Sequence, residues 1–200
     1  MNQPVLSSPQ FMTMAEYLVY EDDTDKRYEL VDGVLIEMPT ESQINASIAK
    51  FLLFELAKHC PIALLAYNTE LEVPSKRVTC RVPDLLVHTK ESAAALASTK
   101  CNVITSDMPA PALVVEVVSP GQKNRDRDYR YKHTEYAARG IPEYWIIDPD
   151  MQQVTLCLWV NGQYEDKIYT GNTPLNSTVM PAFKLSASQI LAFGQPETGC

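Results

Sequence analysis

Two apolar segments of this chain each carry one carboxylate. Asp84 lies within residues 81–87, and Glu116 lies within residues 112–118. Both segments are typical of buried strands, where an ionised carboxylate needs a cationic partner or a coordinated cation. Two such acids at one place repel each other unless a cation lies between them. The pair therefore predicts a shared metal ion; the alternative is that each acid forms a buried salt bridge with an arginine or a lysine.

The types of ligand indicate which metal this would be. Carboxylates, a backbone carbonyl and water suit Mg²⁺ or Mn²⁺ better than zinc. None of the histidines (His59, His88 and His133) has a partner at a short metal-ligand spacing. The five cysteines are odd in number and contain no Cys-x-x-Cys pair, which argues against a disulfide framework or a thiolate zinc site. The sequence favours a magnesium or manganese centre.

A lysine after the second acidic strand adds a third group. A charged helix is predicted over residues 125–139, in which Asp128, Lys132 and Tyr136 are spaced by four residues and share one face. A helix that follows a strand through a short loop packs back across the same sheet, so Lys132 is expected to point toward Glu116. There it would orient a water or stabilise developing negative charge. The alternative is a solvated pair of Asp128 and Lys132 worth only about 0.3–0.5 kcal/mol.

The remaining pattern predicts one mixed α/β domain over residues 11–195, preceded by a flexible tail over residues 1–10. Asp32-Gly33 and Asn161-Gly162 each predict a two-residue hairpin turn. Capping boxes are predicted at Thr13 and Ser186, and a longer helix over residues 42–58. Further strands are expected near residues 63–67, 70–73, 81–87, 112–118 and 143–148, with a helical turn and loop over residues 91–111.

Composition restricts the classes of function. A hydrophobic content of 46% supports a sizeable core, and neither a secretory signal nor a membrane span is visible, so we expect a cytoplasmic protein. The net charge of −8 argues against a protein that holds a long duplex through many phosphate contacts. A bound metal ion would offset part of the negative charge near the site.

The order of these motifs resembles the PD-(D/E)XK nuclease superfamily. More specifically, the chain resembles the Uma-type restriction-endonuclease-like family, long described only as a domain of unknown function. The resemblance rests on residues 28–33, 82–84, 115–120 and 140–148, together with Asp128, Lys132 and Tyr136. It extends over most of the chain, from about residue 12 to residue 193.

The resemblance implies a restriction-endonuclease-like α/β core, in which a mixed sheet is flanked by helices. It also implies a magnesium- or manganese-dependent endonuclease that hydrolyses DNA with a metal-activated water, and a homodimer. Asp84 and Glu116 would be the metal ligands, and the backbone carbonyl of Val117 would supply a further oxygen.

One departure from the superfamily pattern bears on activity. The pattern has a lysine two residues after the glutamate, where this chain has Val118, and the Uma-type arrangement implies that Lys132 on the next helix replaces it. Glu29 is placed near the metal by the same resemblance, with an exposed strand residue as the alternative. Asp128 is expected to hold Lys132 in place. If Lys132 does not reach the site, the alternative function is a catalytically degenerate module that binds nucleic acid or a partner protein; a structural protein with two satisfied buried acids is the third possibility.

Overall fold

The computed structural model describes residues 11–21, 26–40 and 42–193. The tail predicted over residues 1–10 lies outside the described residues. The predicted mixed α/β architecture is confirmed, and its strands are divided between two sheets. We call them the small sheet, which has five strands, and the large sheet, which has six.

The small sheet has the strand order β2-β1-β5-β4-β7. Its pairs are antiparallel, apart from the parallel pair of β4 and β7. The strands are β1 (Tyr28–Val31), β2 (Val34–Glu37), β4 (Glu70–Val73), β5 (Thr79–Arg81) and β7 (Val103–Ile104).

The large sheet has the strand order β11-β10-β9-β8-β6-β3. Here β8 and β9 are parallel, and the other pairs are antiparallel. The strands are β3 (Leu65–Ala66), β6 (Leu85–Val87), β8 (Leu113–Val117), β9 (Glu143–Asp148), β10 (Gln153–Val160) and β11 (Gln163–Thr170).

Within the described ranges, six α-helical segments accompany the sheets: α1 (Met14–Tyr17), α2 (Gln43–Leu56), α3 (Lys90–Ala97), α4 (Gln122–Asp126), α5 (His133–Arg139) and α6 (Ala187–Ala192). A 3₁₀ turn (Ile62–Leu64) precedes β3. Between α4 and α5 the chain continues as a π-helical segment (Arg127–Lys132), so the three pieces form one helix that joins β8 to β9. No helix in the described part of the chain is long and apolar enough to cross a membrane.

The predicted turns and caps are confirmed. Both central residues of each hairpin turn have positive φ, with 49° and 81° at Asp32-Gly33 and 50° and 94° at Asn161-Gly162, as a tight turn of this kind requires. Thr13 and Ser186 each complete a capping box with the residue three positions later. These features form from local chemistry, so the sequence predicts them directly.

The single strand predicted over residues 81–87 is wrong. The chain forms β5 and β6, which belong to different sheets, with Val82, Pro83 and Asp84 between them. Pro83 has no N–H to donate to a strand ladder, so the pairing breaks at this position and the chain passes from one sheet to the other. Asp84 therefore lies at a junction between the sheets and not within a strand.

The segment after β6 is more regular than expected. A helical turn and a loop were predicted over residues 91–111, but the chain forms two turns of helix in α3 and the short strand β7. The side chain of Thr89 caps α3 by accepting a hydrogen bond from the Ser92 amide. The parallel pairing of β7 with β4 adds an edge to the small sheet.

The core lies on both faces of the large sheet. One face packs on α2 and α6, in a cluster that includes Leu52, Trp145 and Ile190. The opposite face packs on α5 and the small sheet, in a second cluster that includes Leu71 and Tyr136. The residues of β8 alternate between these faces, and Glu116 shares its face with Val114 and Val118 of the second cluster.

Candidate active site

Lys132 reaches Glu116, as the sequence predicts. The Lys132 ammonium donates to Glu116 Oε1 at 2.8 Å, and the Tyr136 hydroxyl donates to the same oxygen at 2.7 Å. All three side chains are buried. Val118 packs in the core, so the lysine at this site comes from the helix and not from the strand.

The alternative prediction, in which Asp128 and Lys132 form a solvated pair, is wrong. Both side chains are fully buried, and they lie 3.9 Å apart. The π-helical segment turns both residues toward the sheet, where the Tyr144 hydroxyl donates to the Asp128 carbonyl at 3.2 Å. The Arg127 guanidinium donates to the Asp128 carboxylate at 3.0 Å. π-helical turns are rare in proteins, and many of those that are observed lie at functional sites.

Glu29 of β1 completes the contacts of the lysine. Its Oε1 atom lies 3.1 Å from Lys132 Nζ and accepts a hydrogen bond from the Val82 amide at 3.2 Å. Its Oε2 atom accepts from Arg81 at 3.0 Å. The residue is only 5% exposed, so the alternative of an exposed strand position is wrong. Arg81 also binds both carboxylate oxygens of Glu135, at 2.7 and 2.8 Å, which fixes its position.

Asp84 is placed beside Glu116 through the backbone of β8. Its Oδ2 atom accepts a hydrogen bond from the Val117 amide at 2.6 Å. The carbonyl of Val117, the predicted third ligand, accepts a hydrogen bond from the side-chain amide of Asn45 at 3.0 Å. The same amide lies 3.2 Å from Ser119 Oγ. Asp84, Glu116 and the Val117 carbonyl therefore lie together at the end of β8.

Asn45 was missed by sequence reasoning. It lies on the buried face of α2 together with Ile48, Ala49, Leu52 and Leu56. A polar residue that continues an apolar stripe at helical spacing is the signal that would have identified it.

The acidic residues and the lysine that meet near the end of β8 form the floor of a cleft of about 750 Å³. The floor includes Asp84, Glu116, Val117 and Lys132, and α2 supplies one wall. The cleft is also lined by basic and aromatic side chains, namely Lys26, Arg27, Lys50, Arg127, Phe54 and Tyr67.

The surroundings shift the pKa values of Glu116 and Glu29 in opposite directions. Burial raises the pKa of Glu116 to about 8, although Lys132 acts in the opposite direction and Asp84 adds to the rise. Burial also disfavours the charged form of Glu29, but Lys132 and Arg81 outweigh this effect and lower its pKa to about 2. The desolvated Lys132 keeps a raised pKa because Glu116 and Glu29 stabilise its charge. Lys132 is therefore an ammonium ion at neutral pH.

The site is chemically suited to a hard divalent cation. The network contains five carboxylates (Glu29, Asp84, Glu116, Asp128 and Glu135) and three cations (Arg81, Arg127 and Lys132). Full ionisation would leave an excess of two negative charges, which one divalent cation would balance. Lys132 and Tyr136 both use Oε1 of Glu116, so these two bonds do not occupy Oε2. Two carboxylates and a carbonyl are oxygen ligands of the kind that Mg²⁺ and Mn²⁺ prefer.

The chain is similar to one protein family and to a solved structure. A family model described as "Uma2: Putative restriction endonuclease" matches residues 14–188. No curated protein matches the sequence. A crystal structure described as a "putative nuclease belonging to DUF820" from Anabaena variabilis has a TM-score of 0.70 and 16% sequence identity. The match covers 92% of this chain and 99% of that one.

The structural similarity shows the restriction-endonuclease-like fold, and the family match extends over both sheets and every residue of the site described above. This match supports a nuclease function at the level of the family description. The chain belongs to the Uma2 family of restriction-endonuclease-like proteins.

Proposed function

We propose that the protein is a metal-dependent endonuclease that hydrolyses phosphodiester bonds in DNA. The observation that carries this proposal is the convergence of Asp84, Glu116 and Lys132 on the floor of one cleft. Membership of the Uma2 family supports the same conclusion.

Asp84, Glu116 and the carbonyl of Val117 would hold the metal, with Mg²⁺ or Mn²⁺ as the ion. When bound, the ion supplies a Lewis acid that polarises the phosphate and lowers the pKa of a bound water. The hydrogen bonds from Val117 to Asp84 and from Asn45 to Val117 fix the orientation of these oxygens before a substrate arrives.

Lys132 supplies positive charge at the reacting phosphate. Its ammonium group has three donors; one is bound to Glu116, while Glu29 and Asp128 form ion pairs with it at 3.1 and 3.9 Å. A donor on the side of the more distant Asp128 would serve a phosphate oxygen or the attacking water. Burial strengthens this interaction, because the surroundings screen charge less than water does.

The walls of the cleft offer a path for the nucleic acid. Arg27, Lys50 and Arg127 would contact phosphates. These three residues place positive charge along the cleft of a chain whose net charge is −8. Phe54 and Tyr67 are 71% and 63% exposed and would stack on bases. Binding through these groups should weaken as the salt concentration rises.

The test is cleavage of supercoiled plasmid and of labelled oligonucleotides with Mg²⁺ or Mn²⁺. We expect Asp84→Ala, Glu116→Gln and Lys132→Ala to lower the rate at least about 100-fold, because each removes charge stabilisation in the transition state. Asp150→Ala, in an exposed turn, and Lys58→Ala, which changes an exposed lysine paired with Glu55, are matched controls and should keep the wild-type rate. Undiminished metal-dependent nicking by the site variants would refute the assignment.

One observation favours a second function, a catalytically degenerate module that binds nucleic acid or a protein. Lys132 is already paired with two carboxylates, as in a purely structural ion-pair network. Calorimetric titration with Mn²⁺ separates the two functions. A chain that binds no Mn²⁺ near millimolar concentration and cleaves nothing would be this module.

A further inference from the structure

A second group of metal-ligating side chains lies outside the cleft. His133 is the first residue of α5, Cys157 lies on β10 and Asp166 lies on β11. We call this group the thiol cluster. One ligand atom from each residue lies within 4.8 Å of the other two, and no other set of three His, Cys, Asp or Glu residues in the described ranges meets this criterion.

The fold holds the thiol cluster in place through three independent elements. Cys157 and Asp166 are directly opposite each other in the antiparallel pair of β10 and β11. His133 Nε2 lies 2.9 and 3.1 Å from the two carboxylate oxygens of Asp166. The ring of Tyr164 packs edge-on against the His133 ring, with centroids 5.1 Å apart, and restrains its orientation.

The chemistry of the three ligands differs from that of the cleft. A thiolate and an imidazole favour zinc over magnesium, and a carboxylate is a common third zinc ligand. A tetrahedral ion with ordinary zinc bond lengths would hold these donor atoms about 3.3–3.6 Å apart. The His133 nitrogen and the Asp166 oxygens, now 2.9 and 3.1 Å apart, would separate by about half an ångström around the ion, and the Cys157 sulfur, which lies within 4.8 Å of both residues' ligand atoms, would complete the set.

The charges also balance. A thiolate and a carboxylate carry two negative charges, which equal the charge of one zinc ion and leave the filled site neutral. Cys157 is fully buried, whereas the side chains of His133 and Asp166 are 21% and 42% exposed. An ion would therefore enter from the Asp166 side and displace the thiol proton to solvent.

We propose that His133, Cys157 and Asp166 bind one zinc ion, with water as the fourth ligand. The sequence argued against a zinc site because none of these residues is close to another in the chain. The fold brings them together across a hairpin and the start of a helix. This inference does not depend on the proposed nuclease function.

The position of the thiol cluster connects it with the active site. His133 directly follows Lys132 at the end of the π-helical segment. A zinc ion would tie this point of the helix to β10 and β11, and so restrain the segment that presents Lys132 to Glu116. The ion is thus a structural clamp outside the cleft and takes no part in hydrolysis.

The test uses the untagged full-length chain, freed of metal with a chelator and titrated with Co²⁺, whose thiolate complexes absorb in the near ultraviolet. We expect one Co²⁺ per chain with a thiolate band, and displacement of the band by Zn²⁺. The band should be absent in Cys157→Ser and should need at least tenfold more Co²⁺ in Asp166→Asn, a substitution at an exposed position. Cys60→Ser, which alters a partly exposed thiol elsewhere, should keep it.

The double variant Asp84→Ala/Glu116→Gln removes the proposed magnesium ligands and should retain the band. The band in that variant distinguishes the thiol cluster from the cleft, even if no variant of the protein cleaves DNA. Zinc should also raise the Tm of the wild-type chain by several degrees, and that of Asp166→Asn by less. The proposal is wrong if the wild-type chain gives no thiolate band up to millimolar Co²⁺, or if the band persists at the same Co²⁺ concentration in Cys157→Ser or Asp166→Asn.

Discussion

Lys132 and Glu116 are 16 residues apart in the chain and join a π-helical segment to the large sheet through a contact of 2.8 Å. The contact lies on the floor of the cleft, where both residues are shielded from bulk solvent. It replaces the arrangement in which glutamate and lysine come from one strand, and it makes the helix a component of the site.

Because Lys132 and Glu116 form an ion pair, replacing the lysine should lower the free energy of unfolding by an amount that depends on pH. At pH 9, above the pKa of about 8 for Glu116, the wild-type carboxylate is charged beside Lys132; in Lys132→Met it must either stay charged without its partner or take up a proton against the pH, so the free energy of unfolding should fall by about 3–5 kcal/mol. The double variant Lys132→Met/Glu116→Gln should lose less than the sum of the two single variants. Urea denaturation measures all of these values. Lys58→Met, which changes an exposed lysine paired with Glu55, should cost less than about 1 kcal/mol, and equal costs at Lys58 and Lys132 would contradict the ion-pair role of Lys132.

Glu29 should make stability depend on acid pH. Its pKa of about 2 lies below the usual 4.5, so its contribution is fully present above pH 4.5 and is lost as the pH falls toward 2. The shift corresponds to on the order of 3 kcal/mol at neutral pH. In Glu29→Gln, the free energy of unfolding should fall less steeply between pH 5 and pH 2. Glu37→Gln, on the neighbouring strand, is the control and should keep the wild-type slope.

Metal binding should release a proton. Below pH 8 Glu116 is protonated in the metal-free protein, whereas a cation needs its carboxylate form. The affinity for Mn²⁺ should therefore rise up to about tenfold per pH unit between pH 6 and pH 8 and then level off. Calorimetry at pH 7 in buffers of different ionisation enthalpy counts the protons released. Glu116→Gln should release none, and a pH-independent affinity in the wild-type chain would contradict this assignment.

Asn45, on α2, should strengthen metal binding at the proposed site. Asn45→Ala removes the hydrogen bond to the Val117 carbonyl and should weaken Mn²⁺ binding about tenfold, while stability falls by about 1 kcal/mol. Gln43→Ala, exposed on the same helix, should change neither quantity. If Asn45→Ala loses stability but binds Mn²⁺ normally, Asn45 is a packing residue alone.

Local features of the fold were predictable from the sequence. Hairpins form at Asp32-Gly33 and Asn161-Gly162 because these pairs accept positive φ, and α1 and α6 begin at complete capping boxes. The contact of Lys132 with Glu116 was also predictable, because a helix after a strand packs back on the same sheet.

Long-range features were not predictable in the same way. The change of sheet at Pro83 and the π-helical winding depend on pairing and packing with distant elements. The bidentate contact of Arg81 with Glu135 joins residues 54 positions apart, and no local pattern signals it. The metal-binding roles and homodimerisation stay predictions, and light scattering of the purified chain would test the second.

The two sheets are joined by charge at the site as well as by apolar packing. The small sheet supplies Glu29 and Arg81, the large sheet supplies Glu116, and Lys132 binds both glutamates. Sliding one sheet along the other would separate the Lys132 ammonium from the Glu29 carboxylate where little water can compensate the two charges. The candidate active site therefore also holds the two sheets together, and we expect it to stay assembled on heating until the two sheets separate.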